Sequence, residues 1–339
     1  ARPRGSQNKY PLKLFFYNQN TRAYEEVAYD FSKYNYSAAI PPITSVPPEG
    51  RYITALDLGH ILVAGKFPQI ATIGGDGYMR LVPLAEGREM GASFRVAGGQ
   101  NVTHSRQGGD PYDESFPVVR ELYIKKISDD WINLVALVDA DGFTGVLDMK
   151  INPHEKTRMV VNARFFMRRD ILISQEPDTG FAGFSSMFFL GDEKNDAMIG
   201  EMRHTPWNIH DEAHDSDYLV VHYANGESLE RLINRPFSIG VDRYDFSRQD
   251  TEIIGFSLQQ RDRNPEHYRA FPTSNYADRP SFDFKIIEAN IPLRVKLYEI
   301  YTENEYVDNI VVLLAMGRDL YQGEEIKLNY EVIAYDYEE

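Results

Sequence analysis

Short segments dense in aromatic and β-branched residues recur along the chain, each closed by Gly, Pro, Asn or Asp clusters. They cover residues 12–17, 78–84, 93–96, 121–126, 131–138, 145–151, 157–166, 218–223, 253–259, 293–301, 309–315 and 325–335. Few windows show a 3.6-residue period. The clearest alternation is Arg294-Val295-Lys296-Leu297-Tyr298-Glu299-Ile300, which predicts a strand with one dry and one wet face. The apolar run Ile310 to Met316, bounded by Asp308 and Arg318, predicts a buried strand instead. Many strands at short spacing without intervening helices predict an all-β fold, a large antiparallel β-sandwich of two sheets packed face to face.

Two stretches break the pattern, 192–217 and 260–281, and both are dense in His, Asp, Arg, Tyr and Trp. Irregular segments of that length inside a compact domain usually carry function. Gly74-Gly75-Asp76-Gly77 is expected to be a hairpin turn rather than a phosphate loop. No internal repeat or interdomain linker is visible. Residues 1–10 are expected to be a disordered start or an expression remnant, and 11–339 a single sandwich domain.

Composition narrows the function classes. The formal charge of −15, with a pI near 5.0, sets the overall field against phosphate backbones and anionic membranes, so nucleic acid is not an expected partner. With no cysteine there are no disulfides, thiolate metal sites or cysteine nucleophiles. No segment reaches the roughly 20 apolar residues of a membrane span.

Carboxylates cluster at Asp110-Pro-Tyr-Asp-Glu114, at His210-Asp-Glu-Ala-His-Asp-Ser-Asp217 and at Glu303-Asn-Glu-Tyr-Val-Asp308. The His/Asp cluster lacks a HExxH or comparable ligand spacing, so no metal or other cofactor is expected, although a metal-dependent carbohydrate enzyme stays open. Glycoside hydrolysis needs one carboxylic acid to protonate the leaving oxygen and a second carboxylate to activate water. Asp308, directly before an apolar strand, sits where partial burial raises a carboxyl pKa, though a plain turn residue fits the same position. Trp207, Tyr268, Tyr276, Arg261 and Arg279 suit sugar binding, since flat rings stack on pyranose faces and guanidinium groups bond hydroxyls. They also suit pinning the long segments to the sheet.

A run of collinear blocks resembles the osmoregulated periplasmic glucan biosynthesis proteins G and D. The blocks are Pro11-Leu-Lys-Leu-Phe-Phe-Tyr17, Met90-Gly-Ala-Ser-Phe-Arg-Val96, Ser186-Met-Phe-Phe-Leu-Gly191, His214-Asp-Ser-Asp217, Gly255-Phe-Ser-Leu-Gln-Gln-Arg-Asp-Arg263, Tyr276-Ala-Asp-Arg-Pro-Ser281 and Val307-Asp-Asn-Ile-Val311. The resemblance implies a galactose-mutarotase-like sandwich in the periplasm that acts on β-1,2-linked glucan by inverting endo-hydrolysis or by transglycosylation. It further implies Asp308 as general acid, Asp215 as base, with His214 beside it in the same motif, and Tyr276 on the proton path; Trp207, Arg261, Arg279 and Tyr268 are substrate-binding candidates from their residue types alone. His210-Asp211 is an alternative register for the His-Asp motif. Stretches 100–113 and 264–275 depart from the family pattern, and the immunoglobulin-like domain usual after the sandwich is absent from this sequence. A non-catalytic glucan-binding or assembly factor on the same fold is the competing expectation.

Overall fold

A computed structural model describes residues 2–3, 11–27, 30, 53–57, 71–75, 77–82, 91–95, 117–128, 130–140, 142–154, 156–177, 179–189, 212–214, 216–233, 241–264, 280–300 and 309–336. Every regular element among these residues is a strand. The first sheet has 10 strands. Its path runs β1 (Arg2–Pro3), β4 (Ile53–Asp57), β5 (Ala71–Gly74), β6 (Tyr78–Leu81), β7 (Gly91–Arg95), β12 (Gly180–Phe189), β20 (Asn309–Met316), β19 (Leu293–Ile300) and β16 (Val241–Asp245), with β13 (Glu212–His214) added to β12. The second has 11 strands. Its order is β15 (Ser228–Leu232), β14 (Tyr218–Tyr223), β17 (Ile253–Gln259), β18 (Ser281–Ala289), β21 (Glu325–Tyr335), β11 (Thr157–Met167), β10 (Phe143–Asn152), β9 (Ile132–Asp139), β8 (Val118–Lys126), β2 (Lys13–Asn18) and β3 (Ala23–Glu26).

The expected all-β, two-sheet sandwich is therefore present. Among the described residues pairing is antiparallel with one exception: β2 joins β8 in parallel, with Lys13 opposite Glu121 and Phe16 opposite Ile124. Within the 1–10 start, Arg2 and Pro3 pair with Ala55 and Ile53 of β4; residues 1 and 4–10 lie outside the described residues.

Alternation in the second sheet follows the pleat, in which successive side chains take opposite faces. In β9, Ile132, Leu134, Ala136 and Val138 are buried, and the residues between them are partly open. The same pattern runs through β10 and β11. The inner faces of both sheets merge into one core, and aromatic rings bridge them. Phe184 of β12 lies with its ring centroid 5.2 Å from Phe256, 5.7 Å from Phe282 and 4.8 Å from Phe284. Phe181 does the same with Phe165 at 5.2 Å and Phe143 at 6.1 Å. A buried Thr157 hydroxyl donates to the Val82 carbonyl at 2.7 Å, giving a polar tie between the sheets.

The first sheet departs from the expected pattern at β19. Its wet face was to hold Lys296 and Tyr298, yet these are only 8% and 1% exposed. Tyr298 packs with Leu313, Ala315 and Val311 in a second small core on the outer face, and the Lys296 ammonium donates to the Pro177 carbonyl at 2.6 Å. β19 and β20 are thus buried on both faces, and this accounts for the unbroken apolar run of β20.

The 74–77 segment is the expected hairpin turn: Ile73 pairs with Met79, and the Gly77 amide donates to the Gly74 carbonyl at 3.2 Å. Gly77 has φ 75°, and a Cβ there would stand 2.9 Å from Pro117 Cγ. Only glycine meets both demands without strain.

Phe184→Ala removes the ring that touches three phenylalanines of the opposite sheet. It should cost about 3–5 kcal/mol of unfolding free energy, the usual range for a buried Phe→Ala, read by denaturant titration. A loss below about 1 kcal/mol, the size expected of an unremarkable substitution, would show that this cluster does not hold the sheets together.

Candidate functional site

The sequence-predicted residues belong to chain segments that leave the sheets at one corner. β12 shares one side with two strands in succession. β20 pairs with Gly180, Ala182, Gly183 and Phe184, ending at Phe184↔Val312. Beyond this point β13 takes over, with Met187↔His214 and Phe189↔Glu212. The first residues of β20 continue on β19 alone, with Glu299↔Ile310 and Ile300↔Asn309. The first sheet therefore splays where β20 leaves β12, and β13 enters the split and contacts β20. Asp308 is the residue before Asn309, and Asp215 is the residue after His214.

The same corner joins the two sheets. From His214 the chain crosses within three residues to Asp217 in the second sheet. There the Asp217 amide donates to the Gln259 carbonyl at 3.1 Å, and its own carbonyl accepts from Ile233 at 2.8 Å. β17 ends beside it, and β18 begins there, with Leu258↔Phe282. The Gln260 amide donates to the buried Ser281 hydroxyl at 2.9 Å, which draws together the two ends of the chain between 264 and 280.

Of the predicted side chains, Arg261 is described in full. Its guanidinium donates to both Glu230 oxygens at 2.7 and 2.6 Å and to Gln259 Oε1 at 2.8 Å, and it lies 4.1 Å from the Tyr218 ring centroid. This planar, two-pronged contact is what arginine provides and lysine does not. The hydrogen bonds from Arg261 hold the Glu230 carboxyl below the usual carboxylate range. Arg261 thus pins the end of β17 to β14 and β15, as the second sequence expectation for it allowed. His214 is in β13, where its backbone is described. Asp215, Asp308, Tyr276, Trp207, Tyr268 and Arg279, with His210 and Asp211, lie outside the described residues. No group of His, Asp and Glu suited to a metal ion occurs among the described residues.

Sequence reading did not single out Asp217, Glu230 or Tyr218 as partners. The Asp217 carboxylate accepts the Asp262 amide at 2.6 Å. The only sequence signal was the adjacency of Arg261 and Asp262 at a strand end; their partners lie 31 and 45 positions away, a distance that only strand pairing closes.

Fold and corner together define a large β-sandwich protein in which the chain leaves both sheets at one shared corner. The family described as "Periplasmic glucan biosynthesis protein, MdoG" matches residues 3–339, and the chain belongs to that family and is periplasmic. A probable glucans biosynthesis protein D of Shewanella oneidensis is 30% identical over 252 residues, covering 72% of this chain and 43% of that protein. Glucans biosynthesis protein G of Vibrio cholerae is 29% identical, covering 78% and 44%. Its counterpart in Pseudomonas syringae pv. tomato is 29% identical, covering 97% and 48%. The chain spans about half the length of the curated relatives it matches. Among solved structures, it is similar to the GH36 α-galactosidase AgaA of Geobacillus stearothermophilus (10% identity, 76% of this chain and 40% of that one, TM-score 0.34). A putative aldose 1-epimerase of Escherichia coli K12 is also similar (10% identity, 76% and 79%, TM-score 0.29).

The Arg261–Glu230 contact has a defined pH signature. A carboxyl whose folded pKa is depressed stabilises the fold above its unfolded pKa and loses that contribution as pH falls through the folded value. Wild type should therefore be more stable than Glu230→Gln near neutrality, by no more than about 1 kcal/mol because the pair is partly exposed. The difference should vanish in acid. A difference that is flat with pH, measured by urea unfolding, would remove the ion pair from the account.

Proposed function

We propose that this chain cleaves a β-1,2-linked glucan with inversion at the anomeric carbon. Asp308 is the general acid, and Asp215 is the base that works through Tyr276. The observation that carries this reading is the splay of β12 from β20: it gathers the strand ends next to Asp215 and Asp308, and the crossing to the second sheet begins at the same point. Two carboxylates with separate roles are what inverting hydrolysis requires. Membership of a glucan biosynthesis family supports a carbohydrate ligand.

The reaction balances without a cofactor. The Asp308 carboxyl gives its proton to the glycosidic oxygen as the bond from that oxygen to the anomeric carbon breaks. A water attacks the anomeric carbon from the opposite face and passes its proton through the Tyr276 hydroxyl to the Asp215 carboxylate. Acceptance of a sugar hydroxyl in place of water gives transglycosylation with the same groups. Trp207, Tyr268 and Arg279 supply stacking and hydroxyl contacts along the chain of the substrate.

The test incubates purified protein with linear β-1,2-glucan and with other β-glucans, wild type beside three variants, and reads reducing ends. Wild type should cleave the β-1,2 polymer. Asp308→Asn should lose at least about 10²–10⁴-fold in rate, the usual contribution of a general acid, while still binding glucan. Asp215→Asn should be nearly as slow, and Tyr276→Phe should lose less because water replaces one relay hydroxyl. Normal turnover by Asp308→Asn would overturn the acid assignment. A folded wild type inactive on every glucan but able to bind one would favour the binding or assembly factor.

A further inference from the structure

We infer that Asp217 is a positioning residue for this reaction: its carboxylate fixes the segment that carries Tyr276 against the segment that carries Asp215. The inference rests on the glucan-cleavage reading above.

The backbone of Asp217 is already secured without its side chain. Its amide donates to Gln259 and its carbonyl accepts from Ile233, both as extensions of the β14 ladders. The side chain does something else. Its Oδ2 accepts the backbone amide of Asp262 at 2.6 Å, a short charge-assisted bond across 45 positions. Asp262 stands just beyond the end of β17. Asp217 lies two positions after Asp215, and Asp262 opens the stretch that leads to Tyr276.

The surroundings make this bond a defined register rather than a loose contact. Gln260, which is buried, donates from Nε2 to the Asp262 carbonyl at 2.8 Å, and the Asn264 amide donates to Asp262 Oδ1 at 2.9 Å. Arg261, between Gln260 and Asp262, is held by Glu230, Gln259 and Tyr218. These hydrogen bonds order the turn after β17, and the Asp217 carboxylate ties that turn to the start of β14. A proton relay tolerates little displacement: about 1 Å costs on the order of 10²-fold in rate.

The experiment compares wild type, Asp217→Ala and Asp217→Asn for kcat and KM on linear β-1,2-glucan, with rates expressed per folded molecule from circular dichroism and melting temperatures recorded. Asp217→Ala should lose roughly 10- to 100-fold in kcat with KM and melting temperature close to wild type, because the ladder bonds of residue 217 remain. Asp217→Asn keeps an oxygen to accept the Asp262 amide and should recover most of the rate. Three results would overturn the inference: wild-type kcat in Asp217→Ala, an Asn variant as slow as the Ala variant, or a rate loss matched by a fall in folded fraction. The second would show that the charge itself is used. An inactive wild type would instead overturn the glucan-cleavage reading and this inference with it.

Discussion

The packing of Phe184 against Phe256, Phe282 and Phe284 is the contact on which the rest of the molecule depends. Phe184 sits at the last position where β12 and β20 still pair. The ring that locks the sheets together therefore also marks the point where the first sheet begins to open. Burial of both faces at β19 and β20 adds to this, because Tyr298 and Leu313 hold the outer side of the same strands.

Beyond the core, arginines laid over tyrosines add order at both ends of β14 and across to β16 of the first sheet. Arg261 covers Tyr218, Arg248 covers Tyr223 and Arg231 covers Tyr244, with guanidinium carbons 4.1, 4.1 and 3.4 Å from the ring centroids. Arg261 and Arg248 also bond carboxylates, Glu230 and Glu227. In a chain with a net charge of −15, such cations serve internal carboxylates and rings while the overall field stays negative. Stacked, bidentate arginines are stiffer than lysines in the same place. Arg261 fixes the end of β17 at the corner, while the contact of Arg248 with Tyr223 lies at the other end of β14.

Strands with one dry and one wet face were legible in sequence. β14, β17 and β21 begin and end where segments rich in aromatic and β-branched residues predicted, and the other nine predicted strands differ by one to three residues at an end. The strand most important to the site was not. β12 reads Gly-Phe-Ala-Gly-Phe-Ser-Ser-Met-Phe-Phe, in which small residues replace the alternation expected of a pleated surface. β18 was hidden for a related reason, since its second half, from Lys285, is largely open to solvent. β13, only three residues long, lies inside a stretch expected to be irregular. The family was readable because its blocks are collinear, and the sandwich followed from strand spacing. The partners of Arg261 were not, because Glu230 and Tyr218 meet it only through the β14 ladders to β15 and β17.

The proposed cleavage is a single displacement at the anomeric carbon, with acid and base on opposite faces of the sugar. The most direct test is proton NMR of linear β-1,2-glucan within the first minutes of contact with the protein, before mutarotation equilibrates the new reducing ends. Inversion predicts that the α-anomer appears first, as a β-linkage is replaced by water from the opposite face. First appearance of the β-anomer would require a covalent intermediate and a nucleophile at the corner, which contradicts the roles given to Asp308 and Asp215.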